Sequence, residues 1–395
     1  MSRPTPTPAS SSRQRQDRHH HTHHHTSAPK AGVKLPTKST TTLATIDTTR
    51  SSPAIGPLRP RVHIRYGRRD DGKLNFMYAP IVQTLVIGFN ASGSIVTVES
   101  VAASTAAAGA FSTAMANLNA RDTFIWVGPK QHYYPPWTRM RANGVFTVYY
   151  QTEPLTAGSG CMLPPLRRQA TPRPGSKSLM HELWDYSVFN LRQCQPHAAS
   201  LSMRLRHVPP GFIGRAAAHS SRVGHDASGG WQPSISRPLQ MPPSSPRAFF
   251  LGDVTLEERM ACFAPLRQLV TPVNSIWDER ALAALVNNRT PAVFLNLHKR
   301  CTQDERTQPL ESVRLSHLLS TGGLVVSQRS HLADEAPYSS LVTFAPRAAL
   351  MAEIASLLRH PNLAELARRR SELFRQRFHP EMIVARAIAR PFSLS

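Results

Sequence analysis

The sequence predicts an α/β chain of two Rossmann-like domains, preceded by a low-complexity tail and divided by a second low-complexity stretch. Three observations carry this. AFFL (248–251), AVFLNL (292–297) and LVVS (324–327) are short apolar runs, the pattern of strands buried on both faces. Segments with apolar residues at helical spacing alternate with them; Leu350, Ile354 and Leu357 share one face. Residues 1–60 and 213–246 are instead rich in Ser, Pro, Arg and His and show no core-forming period.

Residues 1–60 are expected to be disordered. Their acid-poor, Arg- and Ser-rich composition fits an organelle transit peptide as well as a plain tail. No apolar secretory core and no run of roughly 20 apolar residues is present, so a soluble cytoplasmic or organellar protein is expected. The cluster His19–His20–His21 and His23–His24–His25 lacks the fixed spacing of a structural zinc site, and metal held there is adventitious.

The N-terminal domain spans 61–212. VQTLVIGF (82–89) reads as a doubly buried strand, Ala102 to Leu118 as an Ala-rich helix, and TFIWV (123–127) and VFTVYY (145–150) as two further strands. These spacers suggest a small parallel sheet. A helical segment containing Leu183, Trp184, Phe189 and Leu191 follows, and Arg206 to Pro210 ends the domain. Residues 213–246 read as a linker or surface insertion.

The C-terminal domain, 247–395, is the clearest. After AFFL and Gly252–Asp253, Thr255 with Glu258 three residues on forms a capping-box pattern for a helix through Pro265. Gln268 to Thr271 is a strand, Trp277 to Val286 a helix and AVFLNL a strand. Leu310 to Leu319 is a helix closed by Gly322–Gly323, LVVS a strand and Leu341 to Phe344 an edge strand. Helices at Arg347 to Leu358, Leu363 to Arg377 and Glu381 to Ala389 complete a doubly wound sheet.

The formal charge of +23 fits a nucleic-acid binder and also an anionic ligand such as a nucleotide diphosphate. Much of it lies in the two low-complexity stretches. The acids before Arg61 are Asp17 and Asp47, and between His197 and Arg247 there is Asp226 alone. Cys161, Cys194, Cys262 and Cys301 form no C-x-x-C pair and read as small buried apolar residues in a reducing compartment.

Ligands of open parallel sheets bind beyond the carboxyl ends of the strands, where helix N-termini offer free N–H groups. The candidates there are Gly252–Asp253, Asn274–Ser275, His298–Lys299–Arg300 and Ser327–Gln328–Arg329. Gly252 permits close backbone approach, and Arg259, Lys299 and Arg300 can neutralise a diphosphate. A single Arg or Lys is more often a solvated surface charge; their common position at one sheet edge is what groups them.

The stretch from LNLHKR through LESVRLSHLLSTGGLVVSQ to the final helices resembles the C-terminal domain of group 1 glycosyltransferases of the GT-B architecture. The resemblance implies a hexosyl-type transferase using a nucleotide-diphosphate sugar, without a cofactor or metal. Glu311 takes the place of the family's ribose-binding Glu, with Arg314 one turn on and Ser327 ending the G-x-x-V-V-S strand. Where the family often has a second acid, this chain has Gln303, beside Asp304 and Glu305.

VYYQTEPL, HELWDYSVFN and RHVPPGF resemble the same group's acceptor domain. By position Trp184, Asp185, Tyr186 and Asn190 line the acceptor side, and Glu153 stands where a base for the acceptor hydroxyl would. His298 is the second catalytic candidate. The bland alternatives are core aromatics, a helix cap, a turn carboxylate and a structural histidine. The acceptor is a glycan, a protein or a small molecule. The competing readings are a catalytically degenerate protein that binds a nucleotide sugar or glycan, and a nucleic-acid binder whose affinity resides in the basic stretches and falls steeply with salt.

Overall fold

Two all-parallel sheets run through the computed structural model, and both carry the same strand order. The structure describes residues 61–68, 73–102, 115, 117–128, 137–155, 161, 180–214, 248–273, 279–287 and 292–389. The tail, its histidine cluster, most of 102–118, nearly all of 213–246 and Asn274–Ser275 lie outside the described residues.

The first sheet holds β1 (Arg61–Arg68), β2 (Ile95–Ala102), β3 (Asp122–Val127), β4 (Phe146–Gln151), β5 (Glu182–Asp185) and β6 (Arg204–His207) in the order β2-β1-β3-β4-β5-β6. Among the described residues its helices are α1 (Lys73–Ala91), α2 (Trp137–Ala142) and α3 (Val188–Ser200). The second sheet holds β7 (Ala248–Leu251), β8 (Val270–Val273), β9 (Val293–Asn296), β10 (Leu324–Gln328) and β11 (Val342–Ala345) in the order β11-β10-β9-β7-β8. With it come α4 (Glu257–Phe263), α5 (Glu279–Asn287), α6 (Ser312–Ser320), α7 (Leu332–Glu335), α8 (Leu350–Leu358), α9 (Leu363–Arg377) and α10 (Pro380–Ala389). In each sheet the first strand in sequence lies between the second and the third. The winding therefore reverses beside β1 and again beside β7, leaving a crevice at the strands' carboxyl ends. This is the two-sheet α/β class that the sequence predicts.

One apolar core is shared between the sheets. It joins Val62 and Ile64 of β1, Tyr78, Ile81, Leu85 and Phe89 of α1, Leu315 and Leu318 of α6, and Ile383 and Val384 of α10. Separate cores cover the outer face of each sheet. The final helix crosses back to the first sheet and packs on α1, where a Cβ on Gly88 would stand 2.9 Å from Pro380 O. Arg206 of β6 fixes the end of that helix by donating to the carbonyls of Ala387 and Ile388.

The second half follows the predicted elements closely, and the first half corrects several. Residues 82–89 belong to α1 rather than a strand, because the buried positions Tyr78, Ile81, Val82, Leu85 and Phe89 follow helical spacing within a 19-residue element. β1 and β2 were not foreseen: their polar and charged residues interrupt the apolar pattern. Leu183 and Trp184 lie in strand β5, and helix α3 begins only at Val188. Thr255 does not cap α4, whose N-cap is Leu256. The Thr255 hydroxyl donates to Asp253 (2.6 Å), and Glu258 accepts from Thr302 instead. The cysteines are not free thiols either: Cys161 pairs with Cys194 and Cys262 with Cys301. Residues 33 and 39 apart become neighbours through the fold, which sequence spacing cannot reveal, and the argument for a reducing compartment falls away.

Candidate functional site

β7 ends at Leu251 and is followed by Gly252, where a Cβ would come within 2.9 Å of the Phe250 ring, so a side chain there would crowd it. Arg259, one helical segment on, reaches back over this turn. It is 5% exposed, and its Nη1 donates to Asp253 O at 3.1 Å. Arg314 approaches from α6 and donates to Asn296 Oδ1 at 2.8 Å, at the end of β9. Both guanidinium groups lie over the Phe250 ring, 5.6 and 5.7 Å from its centre. They therefore converge on the crevice between β7 and β9, where the winding of the second sheet reverses.

Glu311, the N-cap residue of α6, completes this group. Its side chain does not cap its own helix. Oε2 lies 2.5 Å from Arg314 Nη2, and Oε1 lies 3.8 Å from Arg259 Nη2. Burial pushes the Glu311 pKa up, but Arg314, Arg259 and the Lys299 N–H outweigh it and hold the carboxylate below its ordinary range. The result is an ionised carboxylate, 19% exposed, between two cations at a sheet's carboxyl edge.

His298 follows β9 and is 2% exposed. Its Nε2 is 2.7 Å from Arg329 O, an acceptor only, so the proton resides on Nε2 and Nδ1 is the acceptor of the ring. Burial lowers its pKa, against the pull of Glu311, and keeps it neutral. The Lys299 and Arg300 side chains are exposed. Ser327 is buried and stands one step behind: it accepts from Asn296 Nδ2 at 3.0 Å, and Asn296 in turn holds Arg314.

On the first sheet, Glu153 is exposed just beyond β4. Asn190 holds its loop, donating to Glu153 O at 3.1 Å and accepting from Leu155 N at 3.0 Å. The Tyr186 pKa is driven well above its ordinary value by burial, then by Asp185, Glu311 and Glu153. Trp184 and Asp185 are not on a cleft wall. The Trp184 indole is fully buried and donates to Glu182 Oε2 at 2.7 Å. Asp185 accepts from Ser187 N at 2.8 Å and from Asn190 Nδ2 at 3.1 Å inside the core.

The structure therefore brings Arg259, His298, Glu311 and Arg314 together, with Gly252 and Ser327 supporting them. Sequence reasoning missed Asn296 and the Phe250 platform. A polar residue inside the apolar run AVFLNL was the available signal for the first. Nothing marked the second.

No family model matches the chain, and no curated protein matches it. Among solved structures the chain is similar to AviGT4, a glycosyltransferase involved in avilamycin A biosynthesis, at 11% identity and a TM-score of 0.41 over 84% of this chain and 99% of that one. It is similar to a trehalose-6-phosphate synthase at 11% and 0.44, over 84% and 100%. A UDP-N-acetylglucosamine 2-epimerase gives 11% and 0.39, over 83% and 94%. At such scores the likeness carries no argument about chemistry. The GT-B-like architecture rests on the two parallel sheets and their order. Among the described residues no helix is long and apolar enough to cross a membrane.

Proposed function

We propose that the protein is a glycosyltransferase that moves a sugar from a nucleotide-diphosphate donor to an acceptor hydroxyl. The Arg259–Glu311–Arg314 cluster at the β7/β9 crevice carries this reading. Glu311 accepts hydrogen bonds from the ribose hydroxyls, and the two arginines face the diphosphate, whose charge grows as the sugar departs. Lys299 and Arg300 at the mouth add to that field, so the reading requires no metal. The neutral His298 offers its Nδ1 as an acceptor, and Glu153 faces the acceptor from the first sheet. The acceptor is a glycan, a protein or a small molecule.

A binding protein without transferase activity is the second reading. Gln303, in the place of a second acid, is engaged with Gln308 at 2.9 Å and supplies no carboxylate.

Thermal unfolding of the full chain against UDP-, GDP- and ADP-sugars tests the donor site, because selective binding raises the melting temperature. The proposal expects one nucleotide class to stabilise the protein and Glu311→Gln to abolish the effect. No response to any of them would overturn it. Sugar transfer or donor hydrolysis by the stabilised protein separates the transferase from the binding protein.

A further inference from the structure

Asp334 lies in the short helix α7, beyond the second sheet, and is 5% exposed. Among the described residues no arginine or lysine pairs with it. Its charge is met by hydrogen-bond donors of both halves of the molecule. Oδ1 accepts from Val188 N at 2.7 Å and Phe189 N at 3.3 Å, the first N–H groups of α3. Oδ2 accepts from the Ser187 hydroxyl at 2.6 Å and from Leu310 N at 3.2 Å.

Ser187 is itself the N-cap of α3, accepting from Asn190 N at 3.1 Å. The helix of the first sheet therefore has a double cap, its own serine and a carboxylate 147 residues away. Leu310 immediately precedes Glu311. Its loop is tied to α7 a second time, where His331 N donates to Gln308 O at 2.8 Å. One carboxylate oxygen thus bridges the start of α3 and the turn that presents Glu311.

We infer that Asp334 is a positioning residue that couples contact between the two sheets to the placement of Glu311. When α3 is docked, the Ser187 hydroxyl and two helix N–H groups hold the carboxylate, and the carboxylate holds Leu310. When α3 withdraws, Asp334 loses three of its four donors, and the Leu310 turn loses a fixed anchor. The contact is contiguous and short, two hydrogen bonds on one carboxylate oxygen. Its consequence for ligand binding rests on the donor-site reading above; the coupling itself does not.

Hydrogen exchange on the full chain tests it, comparing the wild type with Ser187→Ala, Ser187→Thr and Asp334→Asn. Ser187 is on the first sheet's side, and among the described residues its hydrogen bond to the second side goes to Asp334. In Ser187→Ala the expected result is about tenfold faster exchange both at the start of α3 and, across the contact, at Leu310 to Leu315, as for loss of one charge-assisted hydrogen bond. Ser187→Thr, which keeps the hydroxyl, restores protection at both. Faster exchange confined to α3 would overturn the coupling, and Ser187→Ala decides this even if Asp334→Asn fails to fold. With a nucleotide sugar that stabilises the wild type, Ser187→Ala should weaken binding several-fold while leaving every donor-site residue in place. If no nucleotide sugar binds the wild type, the functional proposal fails and the exchange result still decides the coupling.

Discussion

Among the described residues there are two Arg–Glu–Arg groups, one on each sheet, and they serve opposite ends. In the first, Glu182 accepts from Arg206 Nε at 2.6 Å and Nη2 at 2.7 Å, lies 3.0 Å from Arg204 Nε, and takes the Trp184 indole N–H as well. The side chains of Glu182 and Arg206 are each 2% exposed, and the remaining Arg206 donor is consumed by the end of α10. In the second group, Glu311 is 19% exposed and Arg259 stands 3.8 Å away, beyond hydrogen-bonding distance. The same residue types are closed and fully satisfied in one place, open with spare acceptor capacity in the other. A buried pair of the first kind fixes structure; a pair of the second kind, at a winding reversal, has room for a ligand.

Removing the closed group's carboxylate is the strongest way to break the comparison. Glu182→Ala leaves Arg206 buried without an anion, which costs about 3–5 kcal/mol. Urea unfolding should show that loss. The protein that remains folded should keep its response to a nucleotide sugar, because the second group is untouched.

The disulfide beside the open group comes next. Cys262 lies one turn beyond Arg259 and Cys301 follows Arg300, so their bond ties the helix of one cation to the loop of His298. The closed loop spans 39 residues, and by the chain-entropy relation its removal in Cys262→Ser/Cys301→Ser costs about 4 kcal/mol. Denatured, unreduced wild-type protein should yield no free thiol in a colorimetric assay. Four reactive thiols there would mean that the pairs do not form.

The shared core gives the third prediction. His317 on α6 is 3% exposed and stacks on Phe76 of α1, with ring centres 4.0 Å apart. Its Nε2–H donates to Phe76 O at 2.7 Å, while the buried Nδ1 has no hydrogen-bond partner among the described residues. Burial therefore lowers its pKa from 6.5 to about 4. The folded state resists a proton that the unfolded chain accepts. Stability is complete above pH 6.5 and is lost as pH falls toward 4, by ~3 kcal/mol over the window. His317→Gln should flatten that slope in urea titrations at successive pH values.

How much of this was legible depends on the same contrast. In the second half, AFFL, AVFLNL and LVVS are continuous apolar runs, and the residues just after them become the site because strand ends face the crevice. His298 could be read that way and Arg259 from the helix that follows the first of them, whereas Glu311 and Arg314 were reached only through the resemblance to a known donor domain. In the first half, β1 and β2 mix Arg, His, Glu and Thr into their strands, and the most apolar segment, 82–89, proved to be a helix held between two sheets. Asp334 was invisible because its partners are far away in sequence and its helix is four residues long. The Arg204–Glu182–Arg206 group depends on β5 lying beside β6, with Glu182 opposite Arg204 and Trp184 opposite Arg206. Strand pairing of that kind leaves no local mark.

The smallest expected effect on stability sharpens the comparison most. Glu311→Gln keeps the shape of the side chain and an oxygen that Arg314 can meet. The group is partly solvated, so the stability change should be about 1 kcal/mol or less. Glu182→Gln, by contrast, should cost more, because its amide would place N–H donors against Arg206 and the Trp184 indole N–H with no water to relieve them. For nucleotide-sugar binding the ranking should reverse: Glu311→Gln loses the response and Glu182→Gln keeps it. Urea midpoints and ligand-dependent melting shifts on the two variants measure both quantities. If Glu311→Gln proved as destabilising as Glu182→Gln and ligand response were unchanged, Glu311 would be a structural ion-pair partner like Glu182, and the open group would lose its claim to be a site.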